Sequence, residues 1–69
     1  MTEKEFEQLP MLLTVNQMRK VLNIGKNSAY ELIYQKNFPI LKLGERKIRI
    51  PKKDLLIWIE NNTKNYEIG

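Results

Sequence analysis

The order of local structure signals in residues 16–51 constrains the fold more than any other feature of this chain. A short amphipathic helix pattern leads into a turn at Gly25, a second helix pattern follows, and two strand patterns then flank Gly44. Hardly a residue is left over for loops between them. This succession predicts a small α+β domain in which two helices joined by a tight turn precede a β-hairpin.

Positive charge is concentrated in the same part of the chain. Residues 16–53 hold ten of the twelve Lys and Arg residues, and Glu31 and Glu45 are the only acidic residues among them, so this stretch has a net charge of +8. The segments before and after it are both acidic. A basic surface confined to a helix-turn-helix pattern is typical of proteins that bind double-stranded DNA.

Composition excludes several other classes of protein. The 69 residues, 42% of them hydrophobic, suffice for one compact core. The chain has no Cys, no His, one Asp and one Ser, so we expect no disulfide, no metal or other cofactor, and no catalytic activity. The longest apolar run, residues 55–59, is far shorter than the ~20 residues that cross a bilayer. The N-terminus is acidic and lacks the charged-then-apolar pattern of a signal peptide, so we expect a cytoplasmic protein without a membrane partner or a small-molecule ligand.

The first predicted helix starts at a capping box. Thr14 is the N-cap, Gln17 stands three residues later, and Leu13 with Met18 forms a hydrophobic staple. Three local signals therefore agree on where the helix begins. We expect Asn23-Ile24-Gly25 to stop it, because Gly tolerates backbone conformations that a side chain would forbid.

A second helix is predicted over residues 26–36. Ala29 and Ile33 fall on its inward face at helical spacing, and its opposite face is polar. Asn37 is the expected left-handed cap, and Pro39 prevents the helix from continuing. The two predicted helices thus follow each other across a short turn.

Two strands, residues 40–43 and 46–50, are predicted to form the hairpin. Gly44 suits a type II′ turn through Gly44 and Glu45, and a four-residue loop is the alternative. Either register gives the hairpin an apolar side and a basic side. The apolar side comprises Leu41, Leu43, Ile48 and Ile50, and the basic side comprises Lys42, Lys47 and Arg49.

A third helix is predicted to have Pro51 at its first position, where a missing N–H costs nothing. Its buried stripe comprises Leu55, Trp58 and Ile59. The predicted fold is a winged helix-turn-helix, with three helices and a two-stranded antiparallel β-hairpin wing between the second and third. We expect residues 1–11 to form an N-terminal arm, residues 12–62 the domain and residues 63–69 a flexible tail. Residues expected to form the core with Trp58 are Leu22, Leu32, Ile33, Phe38, Leu41 and Ile48.

These elements resemble the small winged helix-turn-helix domains of the excisionase family, which are related to the DNA-binding head of MerR-type regulators. The resemblance rests on LLTVNQMRKVLNIGKNSAYELI followed by FPILKLGERKIRIPKKDLLIWIE, and it covers about residues 12–60. Gly25 departs from the pattern, since this turn position is often Ser, and the second helix then lacks a good N-cap. The long dimerisation helix of full MerR-type regulators has no counterpart, which argues against a ligand-sensing activator.

The polar face of the second helix is the candidate for contacting base edges in the major groove. Asn pairs with adenine, Glu accepts from cytosine N4, and Ser adapts to several bases, so Asn27, Ser28 and Glu31 are the expected base contacts. The alternative is an ordinary solvated helix face. Candidate phosphate contacts are Lys26, Tyr30, Tyr34, Lys52 and Lys53. The alternatives are that Tyr30 packs against the hairpin and that the two lysines only aid solubility.

The hairpin is the candidate wing. Its cations resemble those that excisionases lay along the DNA backbone or into the adjacent minor groove, and Arg46 at the turn is the candidate for entering a narrow minor groove. An edge strand protected from aggregation by its charge is the alternative. The wing cations are Lys42, Arg46, Lys47 and Arg49.

Leu56 and Ile57 lie outside the buried stripe of the third helix. They are candidates for contacting a neighbouring copy of the protein or a recombinase. The alternatives are that Phe6, Leu9 or Met11 of the N-terminal arm covers them, or that they are simply exposed.

Three functions are compatible with these patterns. The resemblance implies an excisionase that binds and bends DNA beside the end of a mobile element and assists a tyrosine integrase, with no catalysis of its own. A small transcriptional regulator with the same fold is the alternative, and the sequence does not separate these two. A module for an acidic protein partner is disfavoured, because such a module has no reason to pair a groove-binding helix with a wing.

Overall fold

The computed structural model describes residues 2–63, which form four helices and a three-stranded antiparallel sheet of order β1-β3-β2. The elements are α1 (Glu3–Glu7), β1 (Leu12–Leu13), α2 (Val15–Leu22), α3 (Lys26–Ile33), β2 (Leu41–Lys42), β3 (Ile48–Pro51) and α4 (Lys52–Asn62). The α+β winged helix-turn-helix is confirmed, with one helix and one strand more than predicted. Apart from Thr63, the predicted tail, residues 63–69, lies outside the described residues.

The start of α2 is the predicted capping box. The Thr14 hydroxyl accepts from the Gln17 N–H at 3.1 Å, and the Thr14 N–H donates to the Gln17 Oε1 at 2.9 Å. Leu13 and Met18, the two residues of the predicted staple, are both fully buried. The reciprocal bonds satisfy backbone donors that a helix start would otherwise leave open.

α2 ends at Leu22, directly before the predicted stop, but the left-handed residue is not the predicted glycine. Asn23, not Gly25, adopts the left-handed conformation, with φ 55° and ψ 50°. The Ile24 N–H then donates to the Arg19 carbonyl at 3.0 Å, as in a Schellman motif. Gly25 is extended, with φ −73° and ψ 167°, and serves as the N-cap of α3 without a side-chain hydrogen bond. The turn therefore uses Asn as its left-handed residue and leaves α3 weakly capped.

The second predicted helix ends three residues early, at Ile33. The chain then tightens, because the Gln35 N–H donates to the Leu32 carbonyl at 3.0 Å and the Phe38 N–H donates to the Gln35 carbonyl at 3.2 Å. Asn37 is not left-handed, so the predicted cap is wrong. These short-range bonds carry Phe38 into the core.

The additional strand β1 pairs with β3, with Leu13 opposite Ile50 and Leu12 opposite Pro51. Pro51 is therefore held in the sheet as the last residue of β3, with φ −61° and ψ 121°, and it is the N-cap of α4 rather than its first residue. Leu13 and Ile50 share the inward face and are fully buried. A strand immediately before α2 thus ties the sheet to the helix pair.

The hairpin register is shifted by one residue from both predicted alternatives. Leu41 pairs with Arg49 and Lys42 with Ile48, and the Leu43 N–H donates to the Lys47 carbonyl at 2.7 Å across a three-residue loop. Directly opposite residues point to the same side of an antiparallel sheet. The predicted division into an apolar and a basic side is therefore wrong, because one residue of slip moves a whole strand to the other face.

The core lies between the inward face of the sheet and helices α2, α3 and α4. Trp58 is half-buried and meets Phe38 edge to face, with ring centroids 4.9 Å apart. Leu41, which was predicted to be buried, is exposed. The buried residues are Leu13, Met18, Ala29, Ile33, Phe38, Ile50 and Leu55.

Candidate nucleic-acid interface

The solvent face of α3 carries the three predicted base contacts. Asn27, Ser28 and Glu31 are all exposed, whereas Ala29 and Ile33 are buried on the opposite face. The helix packs on α2, which in turn packs on β1 and β3. This support leaves the polar face of α3 free to enter a groove of DNA.

A cleft of about 350 Å³ lies where α2 and α3 meet, and it is lined by Val15, Asn16, Arg19, Lys26 and Tyr30. The structure brings two predicted phosphate contacts, Lys26 and Tyr30, together in it. Tyr30 is 42% exposed and lines the cleft beside α2. The alternative prediction was that it packs against the hairpin.

Asn16 and Arg19 are cleft residues that sequence analysis missed. The Arg19 Nε donates to the Asn16 Oδ1 at 2.8 Å. Their spacing of three residues on a helix is the signal that would have paired them, since residues three apart lie on the same face. Their approach to α3 depends on the packing of the two helices and has no local signal.

Lys52 is held by the N-terminal arm. Its ammonium donates to the carbonyls of Phe6, Glu7 and Leu9 at 3.0, 3.2 and 3.1 Å, and it lies 5.0 Å from the centre of the Phe6 ring. All three N–H donors are thereby used, so Lys52 is removed from the candidate phosphate contacts. Lys53 is exposed at the start of α4 and has no comparable contact in the part of the chain described.

The wing cations are exposed except Arg49, which is half-buried and donates from Nη1 to the Ile48 carbonyl at 3.0 Å. The observed register places Lys47 and Arg49 on the outer face of the sheet and Lys42 on the other face. The outer face also carries Leu41 and Leu43, which are exposed. The wing surface is therefore a mixture of cations and leucines.

A family model described as a helix-turn-helix domain matches residues 12–63, which run from β1 to the end of α4. The chain belongs to this family of small, excisionase-like DNA-binding domains. Membership supports sequence-specific binding of double-stranded DNA. The match includes α3 and the wing and leaves α1 outside. No curated protein and no solved structure matches the chain.

Leu56 and Ile57 lie on different surfaces of the helix-turn-helix domain. Leu56 is 44% exposed and lines a shallow groove together with Phe6 of α1. Ile57 is 47% exposed and lies on another side of α4, beside Pro39 and Trp58. The N-terminal arm therefore approaches Leu56 and leaves Ile57 uncovered.

Residues 2–63 of the helix-turn-helix protein contain neither a metal-binding cluster nor a membrane-spanning helix. No group of three or more His, Cys, Asp or Glu side chains is placed to hold a metal ion. No helix in the same range is long and apolar enough to cross a membrane.

Proposed function

We propose that this helix-turn-helix protein is an excisionase, a non-catalytic factor that binds and bends DNA at the end of a mobile element and assists a tyrosine integrase. The carrying observation is that α3 presents an exposed polar face next to a cation-lined cleft within the family-matched residues. The family resemblance supports excision in particular. The net charge of the surrounding segment supports a polyanionic partner.

The proposed roles divide between α3 and its flanks. The base contacts are Asn27, Ser28 and Glu31, whose side chains extend from the exposed face of α3. Phosphate contacts set the register of a helix on the duplex and carry no sequence information. The proposed phosphate contacts are Lys26, Tyr30, Tyr34 and Lys53.

The wing supplies a second proposed contact. Arg46, in the loop that joins the strands, is exposed and is the residue proposed to enter a narrow minor groove. Lys47 and Arg49 on the outer face, and Lys42 on the opposite one, are proposed to hold the DNA backbone. Binding in two adjacent grooves favours a bent duplex, because a bent duplex makes more contacts with the protein surface. These extra contacts offset the free-energy cost of deforming the DNA.

A comparison of helix and wing variants tests these roles. Asn27→Ala should weaken binding to a site selected by the wild-type protein by about 1–3 kcal/mol and leave binding to an unrelated duplex nearly unchanged. Lys47→Ala should weaken both duplexes alike. The affinities are measured at one fixed salt concentration. If the ratio of specific to non-specific affinity loss were the same in Asn27→Ala as in Lys47→Ala, the assigned roles would be wrong.

An excision assay tests the function itself. Cells carrying the mobile element and its tyrosine integrase are compared with and without this protein, and the frequency of excision is measured. Excision should rise when the protein is present, and Asn27→Ala should abolish the rise. A protein that binds its site and changes transcription there, but leaves excision unchanged, would be a transcriptional regulator instead.

Contacts with other proteins complete the proposal. An excisionase acts next to an integrase and to its own neighbouring copies, and Ile57 is an exposed apolar residue on α4, the helix that follows the wing. We propose Ile57 as a contact for such a neighbour. Leu56 is a weaker candidate, since α1 already approaches it.

A further inference from the structure

We infer that Asn16 and Arg19 of α2, together with Lys26 of α3, form a binding site for one phosphodiester group of DNA. This inference rests on the proposed function, because it takes α3 as the helix that enters the major groove. It assigns to α2 a contact with the DNA strand that borders this groove. In helix-turn-helix proteins the first helix of the motif crosses the backbone, so an anion at this position is expected from the docking geometry.

The cleft has the electrostatic character that such a site needs. Its lining includes two cations, Arg19 and Lys26, and contains no acidic side chain from residues 2–63. Asn16 contributes a neutral polar group and Tyr30 a phenol. Both cations are therefore uncompensated by the cleft itself, and a phosphate entering it meets only favourable charge.

The cleft also lies on the correct flank of α3. Lys26 and Tyr30 are one helical turn apart and form a stripe next to that of Asn27 and Glu31, because successive residues differ by about 100° around a helix. The base contacts would point into the groove, and the neighbouring stripe faces α2 and the cleft. A DNA strand at the edge of the groove would lie along this second stripe.

Asn16 acts as a positioning residue for the guanidinium. Its Oδ1 accepts from the Arg19 Nε at 2.8 Å, which fixes one edge of the planar group. A guanidinium has five N–H donors, so this bond leaves those of the two Nη atoms for a phosphate. Bidentate contacts of this kind are stronger and more directional than those of a lysine ammonium.

Salt titration of DNA binding tests the site without knowledge of the target sequence. The probe is one fixed duplex of about 20 bp, long enough to span two adjacent grooves, and the proteins are the wild type, Arg19→Ala and the control Lys20→Ala. Lys20 is the next residue on α2 and is exposed, but it does not line the cleft. Arg19→Ala should reduce the slope of log K against log salt by about 0.9 and weaken binding about 10-fold, because one phosphate contact is lost. Lys20→Ala should change both far less.

Asn16→Ala separates positioning from charge. It keeps both cations, so the salt slope should stay at the wild-type value while the affinity falls a few-fold. Circular dichroism melting tests whether each variant is folded. If Arg19→Ala does not fold, Arg19→Gln replaces it as a neutral variant of similar length. An Asn16→Ala protein with unchanged affinity would remove the positioning role.

A methylphosphonate scan locates the contact on a duplex selected by the wild-type protein. Replacing one phosphate by a neutral methylphosphonate should weaken the wild type about 10-fold at one position beside the groove and should weaken Arg19→Ala clearly less there, because only Lys26 then remains as a cation in the cleft. Equal effects of Arg19→Ala and Lys20→Ala, or phosphonate sensitivities that are the same in wild type and Arg19→Ala, would overturn the inference. A wild-type salt slope shallower than about −2 would instead refute DNA binding through the basic surface, and with it the proposed function.

Discussion

Lys52 is expected to fasten the N-terminal arm to the domain, and its removal is a direct test of the structure. Its ammonium donates to the carbonyls of Phe6, Glu7 and Leu9 at the end of α1. The last carbonyls of a helix have no partner within it and carry partial negative charge, so an ammonium satisfies them well. The five residues of α1 include no buried side chain, and a helix this short is not stable by itself.

Substitution Lys52→Met keeps most of the aliphatic stem and removes the three donors. Hydrogen bonds to a charged group contribute about 1.5–3 kcal/mol when they are buried. The bond to Glu7 is exposed and the other two are only partly buried, so water replaces much of that value. The cation over the Phe6 ring adds about 0.5–1 kcal/mol. Together these give about 2 kcal/mol for closing α1 onto the domain, or a factor of about 30 in its opening equilibrium.

Hydrogen exchange followed by NMR measures this loss residue by residue. The N–H groups of Phe6 and Leu9 donate within α1 and its end, at 3.0 and 3.1 Å, and should exchange about 30-fold faster in Lys52→Met. The N–H of Met18 lies in the core helix α2, and its exchange rate should change only as far as the global free energy of unfolding changes. The control is Lys53→Met, which removes an exposed lysine of the same helix and should leave α1 unchanged.

DNA binding provides the opposing outcome. If Lys52 contacted a phosphate, Lys52→Met would reduce the salt slope of binding by about 0.9 and leave the exchange of α1 as in the wild type. We expect the reverse, namely a loosened α1 with an unchanged salt slope. Wild-type protection of Phe6 and Leu9 in the variant would show that the three hydrogen bonds do not hold the arm.

Three further substitutions have expected outcomes. Trp58→Ala should lower the free energy of unfolding, measured by denaturant titration, by about 3 kcal/mol. Half-burial limits the loss, and the edge-to-face contact with Phe38 adds to it. A near-parent stability would show that Trp58 does not pack on Phe38 in this way. Gly25→Ser should stabilise the fold by about 0.5–1 kcal/mol and raise the melting temperature by several degrees, because the extended N-cap has open space for a side chain whose hydroxyl can cap α3. Gly25→Ala is the control, since it adds a side chain without that hydroxyl. Ile57→Lys should leave stability and single-site affinity unchanged while reducing cooperative binding to adjacent sites, and lost stability with intact cooperativity would make Ile57 a packing residue.

The parts of the fold that the sequence predicted well depend on residues close together in the chain. The capping box of Thr14 and Gln17 spans three residues, and both of its hydrogen bonds are present. The turn between α2 and α3 was placed correctly but assigned to the wrong residue, since Asn23 and Gly25 both tolerate the left-handed region. Only one of them is needed there, and the other, Gly25, is the extended N-cap of α3, a conformation that any residue can adopt.

The parts that were missed depend on contacts distant in sequence. Lys52 lies 43 to 46 residues from the carbonyls that it binds, so no local pattern could have removed it from the phosphate contacts. The pairing of β1 with β3 is equally remote, and it explains why Pro51 stays in the sheet. The cleft of Arg19 and Lys26 depends on how α2 packs on α3. Patterns of spacing fix which face a residue occupies, but not which other element that face meets.

The side chains that stabilise this domain and those proposed to bind DNA form separate sets, and this separation makes the proposed contacts testable. All seven buried residues are apolar, and no buried side chain among the described residues is polar or charged. The proposed base and phosphate contacts are exposed or half-buried, so truncating them leaves no cavity and no unpaired buried group. Variants such as Asn27→Ala or Arg19→Ala should therefore have a free energy of unfolding within about 0.5 kcal/mol of the parent's. Their loss of DNA affinity can then be assigned to the lost contact. Lys52 is the exception, because its charge is part of the fold, and a weakened DNA affinity in its variants carries meaning only after the state of α1 has been measured.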